Sequence, residues 1–283
     1  MTPVPVFLYH SVADDPPSWI APYTVGPGTF AEQLDLLADS GRTVIPLRRL
    51  VDAIRNGSTL PPRPAVLTFD DGFADFYGTV APLLTTRNLP ATLYVTTGAV
   101  RTPGGVAGET LLPRTDMLTW RQIRTLDESG VEIGGHSRTH PQLDTLPPHL
   151  LNDEIGGCKR QLEDVLGHAV HAYAYPHGYS NARVRRRVRE AGWTSACAVA
   201  NAFSSVEDDP LRIARLTVCA DTRPALFQDW VDGLGARVAP FPERPRTKVW
   251  RLYRRTRARL GSPVGGPPSS PGRIQETQGR TSV

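Results

Sequence analysis

The sequence has little of several features that mark particular classes of protein. Only three of its 283 residues are cysteines, Cys158, Cys197 and Cys219, too few and too scattered for a disulfide framework or a thiolate zinc site. No apolar run approaches the ~20 residues that a membrane-spanning helix requires. The first residues lack the basic stretch and long apolar core of a secretory signal. We therefore expect a cytoplasmic protein with reduced cysteines.

Charge is moderate in amount but unevenly distributed. Hydrophobic residues make up 40% and charged residues 21% of the chain, which excludes collagen, a coiled coil and a wholly disordered protein. Residues 242–283 contain ten Lys or Arg and two Asp or Glu, a net charge of +8, whereas residues 1–241 contain 22 and 26, a net charge of −4. The basic character therefore belongs to the C-terminal segment and says little about what the folded body binds.

Short apolar runs alternate with helical patterns along most of the chain. The runs are continuous rather than alternating in polarity, which favours strands buried on both faces. They cover Val4–Tyr9, Thr43–Ile45, Ala65–Phe69, Ala91–Thr96, Val131–Ile133, His171–Tyr175, Thr194–Val199 and Ile213–Val218. Helices are predicted over Thr29–Ser40, Leu47–Arg55, Phe76–Arg87, Thr119–Ser129, Leu150–Leu166 and Ala182–Ala191. This alternation predicts an α/β fold with a parallel sheet, either open or closed into a barrel.

The same patterns divide the chain into three parts. Residues 1–236 form the predicted α/β domain. Residues 237–260 are a basic extension, in which Lys248–Leu260 has the pattern of a helix. Residues 261–283 are rich in Gly, Pro, Ser, Thr and Gln, a composition typical of a disordered tail.

Four of the predicted strands run directly into polar residues. The four groups are His10, Asp70–Gly72, Gly134–His140 and Pro176–Gly178. Active sites of parallel α/β folds gather outside the carboxyl ends of the strands. We therefore expect these four groups to converge on one mouth.

Two of these groups have the residue types of a metal site. Asp70 and Asp71 are adjacent carboxylates, and burying them costs several kcal/mol unless they are paired or bind a metal. His136 and His140 are four residues apart, which on a helical turn places both imidazoles on one side. Two histidines and one carboxylate make a three-ligand set that leaves positions open for water. One aspartate would then bind the metal and the other would act as base, and the spacing leaves open which does which.

Three motifs resemble the signature motifs of the polysaccharide deacetylase family, carbohydrate esterase family 4, whose domain is the NodB-homology fold. Thr68–Gly72 is similar to the first motif, His136–His140 to the second and Ala174–Gly178 to the third. The resemblance covers residues 4–220. It implies a deformed (β/α)7-8 barrel of mostly parallel strands. It also implies one divalent metal ion, most often Zn2+, with Co2+, Mn2+ and Ni2+ as alternatives.

The resemblance also implies a role for each matching residue. Asp70 is the expected general base, and the expected metal ligands are Asp71, His136 and His140. The third motif supplies the expected oxyanion-binding or substrate-binding residues, which are Tyr175, Pro176 and His177. In this family a backbone N–H of the third motif stabilises the oxyanion, and the aromatic rings of the motif offer a stacking surface for a sugar. The expected enzyme is a carbohydrate N-deacetylase that releases acetate from an N-acetylated sugar.

The sequence departs from the commonest family pattern at two places. The third motif usually carries an arginine that orients the base, and Ala174 stands there. The usual general acid is a histidine in a C-terminal motif, and Leu211–Val218 contains none. Phe7–Ser11 resembles the N-terminal segment of the branch with permuted motif order, as in poly-N-acetylglucosamine deacetylases, where its histidine is the acid. We therefore assign the acid to His10 and expect Arg215 to replace the missing arginine.

Other functions remain open on the sequence alone. A basic helix within residues 244–260 could lie on an anionic membrane surface, although a solvated tail fits the composition as well and no nucleic-acid partner is expected. The alternatives are a catalytically impaired carbohydrate-binding protein on the same fold and a membrane-surface protein acting through its tail. A glycosidase that uses Asp70 and Asp71 is not expected, because adjacent aspartates scarcely flank a glycosidic bond with carboxyl groups ~5 Å or more apart.

Overall fold

A computed structural model of the protein describes residues 2–102, 110–242 and 245–259. The strands are β1 Val6–Tyr9, β2 Ser11–Val12, β3 Thr24–Val25, β4 Thr43–Val44, β5 Pro64–Phe69, β6 Thr92–Val95, β7 Glu132–Gly135, β8 Ala172–Ala174, β9 Ser195–Cys197, β10 Ala202–Phe203, β11 Leu216–Thr217 and β12 Arg237–Val238. The α-helices are α1 Pro27–Asp39, α2 Leu47–Asn56, α3 Ala81–Thr85, α4 Trp120–Glu128, α5 Pro148–Asn152, α6 Cys158–Leu166, α7 Ala182–Glu190, α8 Pro224–Asp232 and α9 Pro245–Arg259. The predicted tail, residues 261–283, lies outside the described residues.

One parallel sheet organises the fold. Its strands are hydrogen-bonded in the order β11-β1-β5-β6-β7-β8-β9, and β4 pairs with the start of β5. A further parallel bridge joins Cys197 of β9 to Ile213, just before β11. The two ends of the curled sheet therefore approach each other through this segment. The predicted α/β fold with a barrel-like parallel sheet is confirmed.

The two faces of the sheet carry different cores, because successive side chains of a strand point to opposite faces. On one face Phe7, Leu67 and Leu93 pack in a cluster with helix residues such as Leu34 and Ile123. On the opposite face the inner core contains Val6, Val66, Tyr94, Ala172, Cys197 and Ile213. Burial on both faces explains why the strands read as continuous apolar runs.

Two helices predicted as continuous are interrupted by wider turns. The patterns over Phe76–Arg87 and Leu150–Leu166 contain π-helical turns at Phe76–Val80 and Asp153–Gly157. The first turn is followed by Pro82, which has no backbone N–H to donate to the preceding turn. The second contains two glycines, which are poor helix formers. Among the described residues, no helix combines the length and apolar character needed to cross a bilayer.

Helix α4 begins as the sequence predicts. Thr119 Oγ1 accepts a hydrogen bond from the backbone N–H of Gln122 (3.2 Å), and the Thr119 N–H donates to Gln122 Oε1 (2.9 Å). This reciprocal pair satisfies two donors that a helix N-terminus otherwise leaves unpaired. The cap therefore fixes where the chain enters the helix that leads to β7.

Strand β7 approaches its neighbours closely because it ends in two glycines. A Cβ on Gly134 would lie 2.6 Å from the Tyr94 ring, and one on Gly135 would lie 2.5 Å from the Trp193 ring. Real Cβ atoms do not come so near, so these positions exclude any side chain. The close packing fixes the end of β7 and with it the histidine that follows.

Candidate active site

The structure brings together side chains from the four predicted strand ends. His10 follows β1, Asp70 and Asp71 follow β5, and His136 follows β7. The turn after β8 adds His177, whose ring centroid lies 4.6 Å from that of His140. The predicted convergence of these four groups on one mouth is therefore observed.

Asp70 is buried and paired with a buried arginine. Arg215 Nη1 donates to Asp70 Oδ1 and Nη2 to Asp70 Oδ2, both at 2.7 Å. The Arg215 side chain is 0% and the Asp70 side chain 3% exposed. Burial raises the pKa of Asp70, but the charges of Arg215 and His136 outweigh burial and hold that pKa below its usual value. The pairing expected of Arg215 is present, while its role in catalysis stays a prediction.

Arg215 reaches Asp70 from the inner core of the sheet. Its Nε donates to the carbonyl oxygen of Ala198 (3.1 Å), and its Nη1 also lies 3.3 Å from Thr68 Oγ1. Tyr94 lies beside it, with 5.6 Å between the guanidinium carbon and the ring centroid. The arginine is thus held on three sides, and it fixes both oxygens of the carboxylate that it binds.

Asp71 shares a compact cluster with the two histidines of the second motif. Asp71 Oδ1 lies 3.4 Å from His136 Nε2 and 3.2 Å from His140 Nε2. One ligand atom from each of the three residues lies within 4.8 Å of the other two. Ligand atoms that bind one tetrahedral Zn2+ at ~2.0–2.1 Å lie ~3.3 Å apart. The spacing therefore fits a shared ion.

The protonation of the cluster leaves two hydrogen-bond acceptors, Asp71 Oδ1 and His136 Nε2, facing each other. His136 Nδ1 lies 2.9 Å from the carbonyl oxygen of Ala174, which can only accept, so Nδ1 carries the hydrogen. Burial lowers the pKa of His136 to about 4, so the neutral ring turns a lone pair on Nε2 towards Asp71. Asp71 Oδ1 is buried and has no hydrogen-bond partner among the described residues. Two facing acceptors repel each other unless a positive ion lies between them.

The histidines do not lie on a helical turn, and that expectation is wrong. Residues 136–140 form a loop in which Ser137 and His140 both have φ of 66°. Glu154, 8% exposed, holds this loop by accepting from the backbone N–H groups of Arg138 (2.9 Å) and Thr139 (2.8 Å). The imidazoles converge because a buried carboxylate shapes the loop. The sequence interval alone does not show this.

His10 stands at the edge of the cluster. Its ring centroid lies 5.2 Å from that of Tyr23, and its buried Nδ1 has no hydrogen-bond partner among the described residues. Burial lowers the pKa of His10, and the nearby charges of Asp71 and Asp70 oppose that effect. The next residues are fixed by Asp75, whose Oδ2 accepts from Ser11 Oγ at 2.6 Å and from the Val12 N–H at 3.1 Å.

The third motif is only partly as predicted. Tyr175 is 0% exposed and donates its hydroxyl hydrogen to the carbonyl oxygen of Leu211 (2.8 Å). It therefore cannot stack on a sugar, and that expectation is wrong because its ring belongs to the core. Pro176 is buried as well. His177 has φ of 58° and reaches the cluster, and burial lowers its pKa to about 3.

The sequence analysis missed several residues that support the site. Glu154 lies in a helical pattern whose polar positions read as solvent-facing. Asp144 is buried although it follows the second motif in a segment without a strong pattern, and Arg254 binds it from the basic extension at 3.0 Å. The sequence offered one indication that these residues are buried, which is that each charged side chain stands beside apolar residues. That signal does not identify a partner far away along the chain.

Known proteins resemble this chain in sequence. The family model described as Polysaccharide deacetylase matches residues 57–196. The poly-beta-1,6-N-acetyl-D-glucosamine N-deacetylase of Escherichia coli (strain K12) is 32% identical over 118 residues, which are 40% of this chain and 18% of that protein. The chain therefore spans less than a fifth of the length of this curated relative.

Solved structures share the fold. The deacetylase PplD of Streptococcus pyogenes gives a TM-score of 0.69 at 24% identity, covering 79% of this chain and 96% of that one. IcaB from Ammonifex degensii gives a TM-score of 0.68 at 22% identity, covering 82% and 97%. The deformed barrel that the three motifs imply is confirmed by this likeness.

Proposed function

Since this chain belongs to the polysaccharide deacetylase family, we propose that it is a metal-dependent hydrolase that removes the N-acetyl group from an N-acetylated sugar. The observation that carries the proposal is the pair of acceptors, Asp71 Oδ1 and His136 Nε2, that face each other across 3.4 Å. A second carboxylate, Asp70, lies beside them and is held by Arg215. A cation site next to an ionised carboxylate suits the attack of water on an amide.

The residues that would hold the ion are Asp71, His136 and His140. A bound divalent ion supplies positive charge that polarises the acetamide carbonyl and makes a water more acidic. Zn2+ is the proposed ion, and Co2+, Mn2+ or Ni2+ suit the same ligand types. The Ala174 carbonyl fixes the tautomer of His136, and the Glu154 carboxylate fixes the loop that carries His140.

Asp70 is the proposed general base. It stays ionised because Arg215 holds its pKa low, so it can accept a proton at neutral pH. The oxygen of the water then bonds to the acetyl carbon, and the water's proton goes to Asp70. Because both carboxylate oxygens are fixed by the guanidinium, the base does not turn away from the reacting water.

His10 is the proposed general acid, and the backbone N–H of His177 is the proposed oxyanion donor. When the C–N bond breaks, the amine nitrogen takes a proton from the cationic form of His10, which the neighbouring charges of Asp71 and Asp70 favour, and acetate leaves. His177 lies in the turn that follows β8 and has a left-handed backbone conformation, and its ring contacts that of His140, so its peptide lies near the histidine cluster. The products are acetate and a free amino sugar.

The proposed substrate class is an N-acetylated sugar in a polysaccharide, a lipid-linked saccharide or a conjugate, in the cytoplasm. The curated relative is named for poly-beta-1,6-N-acetyl-D-glucosamine, which favours an N-acetylhexosamine. The membrane contact of residues 244–260 stays a prediction. A carbohydrate-binding protein with an impaired site is the alternative, and turnover separates it from an enzyme.

Acetate release over a panel of N-acetylated sugars tests the proposal. We expect the chelator-treated protein to release no acetate and Zn2+ or Co2+ to restore release from at least one member of the panel. The exposed-carboxylate variant Asp116→Asn serves as a matched control and should behave like the wild type. Sugar binding without acetate release at any metal concentration would favour the impaired binding protein instead.

A further inference from the structure

A buried arginine, Arg254, joins the C-terminal helix α9 to the body of the protein. Arg254 is 1% exposed, and its Nη2 lies 3.2 Å from Asp144 Oδ1 and 3.0 Å from Asp144 Oδ2. Its Nη1 donates to Gln142 Oε1 at 2.6 Å. Asp144 is itself fully buried, and Arg255 also approaches it, with Nε 3.4 Å from Oδ2. The basic extension, whose sequence is typical of a solvated segment, is thus partly buried against the rest of the protein.

Arg254 also contacts the segment that follows the third motif. Its guanidinium carbon lies 3.6 Å from the ring centroid of Tyr179, which is the distance of a close cation–π contact. The Tyr179 ring lies 5.9 Å from the His177 ring, and the His177 ring lies 4.6 Å from the His140 ring. A continuous set of contacts therefore leads from α9 to the histidine cluster.

The two segments that Arg254 joins both begin at the candidate active site. Gln142 and Asp144 come directly after His140, whose backbone has a left-handed conformation with φ of 66°. Glu154 holds this loop from the side of Arg138 and Thr139. After His140 in the sequence, Arg254 holds the chain through its contacts with Gln142 and Asp144.

We propose that Arg254 is a positioning residue, through which α9 fixes the loop that carries the metal ligand His140, together with the neighbouring turn of His177. The guanidinium fork binds a carboxylate and an amide in one segment and stacks on an aromatic ring in the other, which a single point charge could not do. This inference rests on the proposed function, which assigns the ion site to the cluster. It concerns the affinity of that site for metal, so it can be tested without measuring acetate release.

The experiment measures Zn2+ affinity of the full-length chain by chelator competition, for the wild type and for Arg254→Met. Loss of a side chain that orients a metal ligand from outside the ligand set weakens metal affinity by about 10–100-fold. We expect the dissociation constant for Zn2+ to rise by that factor in Arg254→Met and by a smaller factor in Arg254→Lys. The Co2+-loaded Arg254→Met variant should also show altered visible absorption bands. Arg257→Ala, at an exposed position of the same helix, should bind Zn2+ like the wild type.

A second variant covers the case in which Arg254→Met does not fold, as judged by far-UV circular dichroism. Gln142→Ala removes one partner of the fork and leaves the buried Arg254–Asp144 pair, and we expect it to weaken Zn2+ binding by severalfold. Folded Arg254→Met with unchanged Zn2+ affinity and Co2+ spectrum would overturn the proposal. If Arg254→Met does not fold, unchanged affinity in Gln142→Ala would overturn it.

The same measurements separate this inference from the proposed function. If the wild type binds Zn2+ but releases no acetate, and Arg254→Met binds Zn2+ less tightly, the deacetylase proposal fails and the positioning role stands. If the wild type releases acetate and the Arg254 variants retain its affinity and kcat, the positioning role fails alone.

Discussion

Replacing Asp70 by asparagine is expected to remove most acetate release while the protein still binds its metal. The variant keeps the shape of the side chain but cannot accept the proton of the attacking water, and such a loss costs about 10²–10⁴-fold in kcat. Asp71, His136 and His140 are unchanged, so the stoichiometry of bound ion should stay that of the wild type. The measurements are kcat for acetate release and metal content by elemental analysis.

The Asp70 variant also distinguishes between the two aspartates. Asp71 faces both histidines at 3.4 and 3.2 Å, whereas Asp70 lies 3.7 Å from His136 and is bound by Arg215 at both oxygens. Asp71→Asn should therefore lower metal content, and Asp70→Asn should not. If Asp70→Asn lost its metal and Asp71→Asn kept it, the roles would be reversed. If Asp70→Asn kept a kcat within tenfold of wild type, Asp70 would not be the base.

Replacing Arg215 by methionine is expected to destabilise the fold and to move the pH profile. Breaking a buried ion pair by removing one partner costs about 3–5 kcal/mol, because the other charge remains buried without compensation. Burial raises the pKa of Asp70, and Arg215 is first among the charges that oppose it. Without Arg215 the acidic limb of the kcat/KM profile should therefore move to higher pH. Urea denaturation and a pH series measure the two effects.

The sign of the pH effect follows from the folded-state pKa of Asp70. In the wild type that pKa lies below its usual value, so the pair contributes stability above the pKa of the unfolded carboxyl, and that contribution is lost as the pH falls through the folded-state pKa. In Arg215→Met we expect the pKa of Asp70 to be higher than in the wild type, so the stability that its ionised form contributes should be smaller and should be lost at a higher pH.

A double variant provides the control for this pair. Asp70→Asn combined with Arg215→Met removes both charges, so we expect it to be less destabilised than the sum of the single variants. Arg215→Lys keeps the charge but not the fork, and it should lie between the wild type and Arg215→Met in both measurements. Additive losses of stability, with no movement of the acidic limb, would contradict the pairing.

The sequence predicted those parts of the site that short, contiguous patterns specify. The apolar run before Asp70 predicts a buried strand, and the polar residues at its end predict a position at the mouth of the sheet. The same reasoning places His136 and His10. These predictions succeed because strand direction fixes where a strand's last residue lies, whatever the partners are.

The remaining parts depend on contacts between residues far apart in sequence. The burial of Tyr175 follows from its hydroxyl reaching the Leu211 carbonyl, and the loop at His140 follows from Glu154, which lies in another element. The contact between Arg254 and Asp144 joins residues 110 positions apart. Local propensity and charge pattern contain no information on such pairs, so a basic segment reads as solvated until its partner is known.

Zinc titration of the metal-free protein, with His136→Ala beside the wild type, tests the shared ion site most directly. We predict one Zn2+ bound per chain in the wild type, with acetate release returning in proportion to the bound ion. His136→Ala should bind Zn2+ far more weakly and release no acetate at the same concentration. A wild type that binds no Zn2+ and releases acetate equally well in the presence of chelator would contradict the metal-dependent mechanism.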